Sequence, residues 1–220
     1  MEKSKVNTIL KIGGILGIVG VACYVLQLLL GELIYTDYNF VTQTMSDLTA
    51  CDAPSRTVSS IFLFIYGVFS IISSFCVWYY FKDKINKLFN VGAILFFVVN
   101  FIFFIGLTFF PKPNIIITGY SFQYLMHCIT VMLTVSLSVI SFSLFIAGLF
   151  KSNHKILAII VIVALALLIL GVGVVKLFPT IGGLLERISI NQIIILNLIF
   201  SIYLLIYETI QKKSQTKTLN

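Results

Sequence analysis

Residues 42–56, TQTMSDLTACDAPSR, gather two carboxylates (Asp47 and Asp52), a guanidinium (Arg56), a thiol (Cys51) and a Ser-Asp pair, in a chain otherwise poor in ionisable groups. His127 and the adjacent pair Glu186-Arg187 are the other residues with chemistry to offer. An imidazole beside a carboxylate is an acid or base with an orienting partner, which gives His127 and Asp47 a candidate catalytic role. Ser46 is a candidate nucleophile on the condition that His127 comes within hydrogen-bond reach. Glu186 and Arg187 are candidates for binding a lipid headgroup, because the planar guanidinium fork matches the oxygens of a phosphate. No metal is expected. The four cysteines show no ligand spacing, and one histidine with scattered carboxylates supplies no recognisable set.

Each group also has a plainer role. Ser46-Asp47 reads as the cap of a short helix lying on a membrane, and Asp52, ahead of Ala53-Pro54, as the N-cap of a longer one. Thr130, Thr134, Ser138 and Ser141 share a helical face with His127, where small hydroxyl residues let helices approach. Gln27, Asn100 and Asn197 read as hydrogen-bonding groups between helices. The helix interiors are expected to hold no carboxylate, and hence no proton relay. Cys51 and Cys128 are both expected near one membrane surface, where an oxidising compartment would permit a disulfide.

The elements that must position these residues follow from composition. Hydrophobic residues make up 59% of the chain and charged residues 10%, against about a quarter charged in a soluble domain. So little polar surface cannot cover a water-facing exterior. The formal charge of +7 therefore reads as membrane orientation and not as nucleic-acid binding. Six apolar runs, at 9–30, 58–81, 88–110, 123–149, 156–178 and 189–210, each reach the roughly 20 residues a spanning helix needs. Backbone groups must be satisfied within lipid, so the fold expected is all-α, a polytopic six-transmembrane-helix bundle forming one domain over 9–210. A basic tail, 211–220, follows. The first run is too long, and lacks the cleavage site, for a signal peptide.

Lys and Arg set the orientation. Eleven fall in one set of connections (Lys3, Lys5, Lys11, Lys82, Lys84, Lys87, Lys151, Lys155, Lys212, Lys213 and Lys217) and four in the other (Arg56, Lys112, Lys176 and Arg187). Both termini are expected in the cytoplasm of a cell with its protein in the plasma membrane, and the loops 31–57, 111–122 and 179–188 outside. The tyrosines and the tryptophan near helix ends, among them Tyr38, Trp78, Tyr120 and Tyr207, read as an interfacial belt.

The order of the motifs carries a resemblance. Ser46-Asp47-Leu48 after helix one, GLTFFP closing helix three with Gly106 and Pro111, His127 opening helix four and GLLERI with Glu186 and Arg187 before helix six resemble the domain-of-unknown-function 998 family of small prokaryotic integral membrane proteins. The likeness extends over residues 10–210. Where that family more often has Gly-Ala after Ser-Asp-Leu, this chain has Thr49-Ala50. The resemblance implies a six-helix layout and no established reaction. Three functions are compatible with the residues: a lipid-binding, sensing or accessory membrane protein; a lipid-modifying hydrolase or transferase acting at the outer leaflet; and a small-solute transporter. Membrane lipids are the expected partners; neither a cofactor nor an oligomeric state follows from the sequence.

Overall fold

The structure, a computed structural model, describes residues 2–113, 121–175 and 177–217, with the side chains of 2–7, 9 and 207–217 left out. Lys3, Lys5, Lys176, Lys212, Lys213, Tyr120 and Tyr207, and the end of the basic tail, are expectations that lie outside the described groups. Six long helices follow one another: α1 (Glu2–Ile34), α2 (Arg56–Phe81), α3 (Lys87–Phe109), α4 (Phe122–Lys151), α5 (Lys155–Val174) and α6 (Gly182–Lys217). All six contain a stretch long and apolar enough to cross a membrane, and no strand occurs among the described residues. Their outer surface is a coat of exposed Ile, Leu, Val and Phe, including Ile15, Ile61, Phe101, Ile140, Ile159 and Ile195. That surface has no solvent it can face except lipid.

Each helix packs against the next in chain order, and α6 closes the ring against α1, with a lesser contact to α2. The connections alternate between two faces. We call the end carrying residues 35–55 the loop face and the opposite end the terminal face. Close approach at the seam is made by glycine. A Cβ on Gly13 would fall 2.5 Å from Cys76 Cβ, and one on Gly17 would fall 1.9 Å from Ser201 Oγ and 2.5 Å from Ser73 Oγ. Helix α1 thus nests against α2 and α6 through small residues, as membrane helices do when no hydrophobic effect drives them together.

The terminal half of the ring is solid. Phe81, Phe89, Phe96, Phe142, Phe145 and Phe200 are fully buried, and Phe145 and Phe200 form a tilted pair at 4.9 Å between centroids with Phe96 5.8 and 5.9 Å away. Such pairs contribute about 0.5–1.5 kcal/mol each beyond simple burial. The turn between α2 and α3 is pinned beneath this core. Asn86 accepts from the Leu88 and Phe89 amides and donates to Gly148 O and Ser152 Oγ at 2.5 and 2.8 Å. Near mid-bundle, Asn197 donates to Asn100 Oδ1 (2.7 Å) and Tyr66 OH (3.2 Å), and Ser201 and Ser73 share a hydrogen bond of 2.9 Å. This layer ties α2, α3 and α6 together where an unsatisfied polar group would be costly.

Helix ends depart from expectation in two informative places. Helix α6 begins at Gly182 and not at 189, so Glu186 and Arg187 lie inside a helix, and a carboxylate does occupy a helix interior. The start is possible because residues 40–43 cap it: the Leu184 amide donates to Val41 O at 3.1 Å. Helix α2 begins after Ser55, not after Asp52; the Ser55 hydroxyl donates to Leu48 O at 2.8 Å and holds the preceding turn. Cys51 and Cys128 are both free thiols, and Cys51 Sγ accepts instead from Gln123 Nε2 at 3.1 Å.

Candidate functional site

The connection from α1 to α2 does not spread over the membrane surface. It folds across the mouth of the ring, with a 3-10 turn at Met45–Thr49 whose Met45, Leu48 and Thr49 are buried. Asp47 is the third residue of that turn. Its Oδ2 accepts from the Thr44 amide (2.7 Å) and the Thr44 hydroxyl (2.6 Å), the reciprocal half of a capping box. Its Oδ1 lies 2.6 Å from Lys112 Nζ, which also donates to Thr44 Oγ1 at 3.1 Å. Ser46 Oγ shares a 2.9 Å hydrogen bond with Thr44 Oγ1.

Helix α6 grips this loop through Arg187, which is 8% exposed. One guanidinium nitrogen donates to the carbonyls of Phe40 (2.8 Å), Gln43 (3.1 Å) and Gly183 (3.0 Å); the other donates to Tyr38 OH (2.6 Å) and Glu32 Oε1 (3.3 Å). Its Cζ stands 5.2 Å from the Phe40 ring centroid and 5.6 Å from that of Tyr38. Burial pushes the Tyr38 hydroxyl up to about 12, against the pull of the Arg187 hydrogen bond. It stays protonated and passes the contact on to Thr44 O at 2.8 Å. Gly183 lets the loop lie this close, since a Cβ there would fall 2.0 Å from Gln43 O.

Glu186 faces the other way. Its Oε2 accepts from the Met45 amide at 2.9 Å. Tyr24, from α1, donates to Asn191 Oδ1 (2.9 Å) and to Met45 Sδ (3.0 Å) on the same side of the turn. His127 is buried one turn into α4, its Nδ1 2.9 Å from Phe110 O. A carbonyl only accepts, so in the neutral ring Nδ1 carries the proton and Nε2 presents a lone pair.

These groups roof a cavity of about 780 Å³ in the loop-face half of the ring. Thr44, Ser46, Lys112, His127 and Glu186 stand on its polar side. Leu63, Phe103, Leu107, Val135 and Ile190 form its apolar body. Its rim includes Val131, Met132 and Val172, which are also exposed on the outer surface of α4 and α5, Met132 at 68%. The cavity therefore opens sideways, between the loop-face halves of α4 and α5, into the surface that meets lipid. Its size falls in the roughly 300–1,000 Å³ range of small-molecule sites.

The five candidate residues are thus brought to one end of the bundle but not into one machine. Ser46, His127 and Glu186 line the cavity; Asp47 and Arg187 do not. Among the described residues Asp47 makes no hydrogen bond to His127 and Ser46 none to it either. His127 is oriented by a carbonyl, Asp47 is engaged by Lys112 and Thr44, and Arg187 is turned into the loop backbone. No three of His, Cys, Asp and Glu converge as metal donors among the described residues. Sequence reasoning passed over Tyr24 and Lys112. Lys112 was counted only as one of the four outlying cations, although PKP following the aromatic close of α3 puts an ammonium at a fixed helix end.

A model of the family described as protein of unknown function (DUF998) matches residues 18–203. The chain belongs to that family. The match runs from mid-α1 to the middle of α6 and includes the loop, His127, Glu186 and Arg187. Neither the curated proteins nor the solved structures contain a match to this chain.

Proposed function

We propose that this DUF998 protein binds a membrane amphiphile, taking an apolar chain from the bilayer into the cavity between α4 and α5 and holding its polar end under the loop. The observation that carries the reading is the cavity itself: an apolar body, a polar roof, and a rim shared with the lipid-facing surface. A soluble solute has no need of a side opening, and fully buried phenylalanines fill the half of the ring towards the terminal face. The excess of lysines at that face argues that it is cytoplasmic and that the loop face lies outside a plasma membrane, in the outer leaflet. Mass spectra of the protein released from lipid nanodiscs test the binding. The wild type should carry a bound amphiphile, and Val131→Trp at the rim should lose it. A wild type free of any bound species under conditions that preserve the fold would sink the reading.

A second reading, a lipid-modifying hydrolase or transferase at the same site, draws on His127 Nε2, which has no hydrogen-bond partner among the described residues. There His127 would be the base; Ser46, which is bonded to Thr44 and not to His127 in this structure, would act as nucleophile only once brought within reach of Nε2, with Asp47 supporting the turn that carries it. A fluorophosphonate probe distinguishes the two. Labelling lost in both Ser46→Ala and His127→Ala would favour the enzyme; an inert Ser46 favours simple binding.

A further inference from the structure

The charges around the roof are paired unevenly. Lys112 is matched to Asp47 at 2.6 Å, and Arg187 to Glu32 at 3.3 Å. Glu186 forms no salt bridge among the described residues, although Lys112 and Arg187 lie near enough to act on its charge; its one hydrogen bond there comes from the Met45 amide, on Oε2. Its second oxygen has no partner there, and the residue lines the cavity. Also without a hydrogen-bond partner among the described residues are His127 Nε2, an acceptor in the neutral ring, and three groups that can donate or accept, the amide of Gln27 and the hydroxyls of Thr134 and Ser136. The single cation on the described part of the wall, Lys112, is already held by a carboxylate and a hydroxyl. An anionic head would have to share Lys112 with Asp47 and Thr44 while lying near the Glu186 carboxylate. A donating head meets two open acceptors and disturbs nothing.

From this we infer that the cavity selects an amphiphile whose head donates hydrogen bonds, with an ammonium preferred and Glu186 as its counter-ion. The inference rests on the cavity being an amphiphile site. It assigns Arg187 to holding the loop and gives the ligand's head to Glu186, and it excludes phosphate monoesters as preferred ligands. Burial makes the pairing count: hydrogen bonds to charged groups contribute about 1.5–3 kcal/mol, which is tenfold or more in affinity.

Three probes of equal chain length test it: dodecylamine, dodecanol and monododecyl phosphate. Each is titrated into the full chain in nanodiscs, and retention is read by native mass spectrometry. The amine should bind at least about tenfold more tightly than the phosphate, with the alcohol between them. Glu186→Gln keeps an acceptor for the Met45 amide and removes the charge; it should lower amine affinity about tenfold and change alcohol affinity less than threefold. Val131→Trp and, independently, Leu107→Phe should weaken all three probes. Phosphate binding as tight as amine binding, or an amine affinity indifferent to Glu186→Gln, overturns the choice of head while leaving the cavity reading standing. Binding of all three that neither filling variant weakens overturns the cavity reading itself.

Discussion

Arg187 makes five hydrogen bonds through two nitrogens, three of them to backbone carbonyls on the loop or its own helix. Truncation would strand the Phe40 and Gln43 carbonyls and the Glu32 carboxylate together. Arg187→Ala should therefore cost about 3 kcal/mol or more. In thermal unfolding this reads as a fall of about 2–4 °C per kcal/mol for a chain of this size. Arg187→Lys should recover less than half, because an ammonium cannot reproduce the fork that reaches the loop carbonyls and Tyr38 together. The Tyr38 hydroxyl adds a pH signature. Burial raises it from its ordinary 10 to about 12 in the folded state, so above pH 10 the unfolded chain releases a proton that the folded chain keeps. The stability this gives is complete below pH 10 and is lost as pH rises towards 12. Unfolding midpoints followed across that window should fall less steeply in Tyr38→Phe than in the wild type; equal slopes would mean that Tyr38 is not held as described.

At the scale of elements, the relation between the loop and α6 decides the site. Gly183 sits where the loop backbone crosses the start of the helix, with no room for a methyl group. Gly183→Ala should lift residues 40–43 away from α6, and limited proteolysis of the intact protein in micelles should cut within 35–55 faster than in the wild type. Unchanged cleavage would show that the loop can adjust by another route. This contact also marks how far the sequence could be read. The six apolar runs announced six helices, because lipid leaves the backbone no alternative. The start of α6 was not visible, because Gly182-Gly183 looks like a turn until a loop some 140 residues earlier is placed against it. Asp52 likewise has the residue type of an N-cap, yet Ser55 takes that position once its hydroxyl finds Leu48 O. Types and spacing located Ser46, Asp47, His127, Glu186 and Arg187 at one end of the bundle. Which of them face a cavity, and which face each other, depends on tertiary pairings such as Asp47 with Lys112 that no local pattern encodes.

For the whole molecule, the two halves of the ring differ in kind: one is packed solid with aromatic side chains, and the other is hollow and open to one side. Liposomes containing the protein should therefore show no flux of ions or small polar solutes above that of empty liposomes, and a measured conductance would contradict the sealed half. The ring also has an order in time. The loop leaves the ribosome with α1 and α2, while the groups that fasten it, Gly183, Glu186 and Arg187, are about 140 residues further along the chain. Until α6 inserts, a five-helix intermediate has an open seam beside α1, and the roof of the future cavity is held by Lys112 and Gln123 but lacks the grip of Glu186 and Arg187. Helix α6 supplies Glu186, Ser189 and Ile190 to the cavity wall, so under the proposed amphiphile binding ligand retention would report completed membrane insertion.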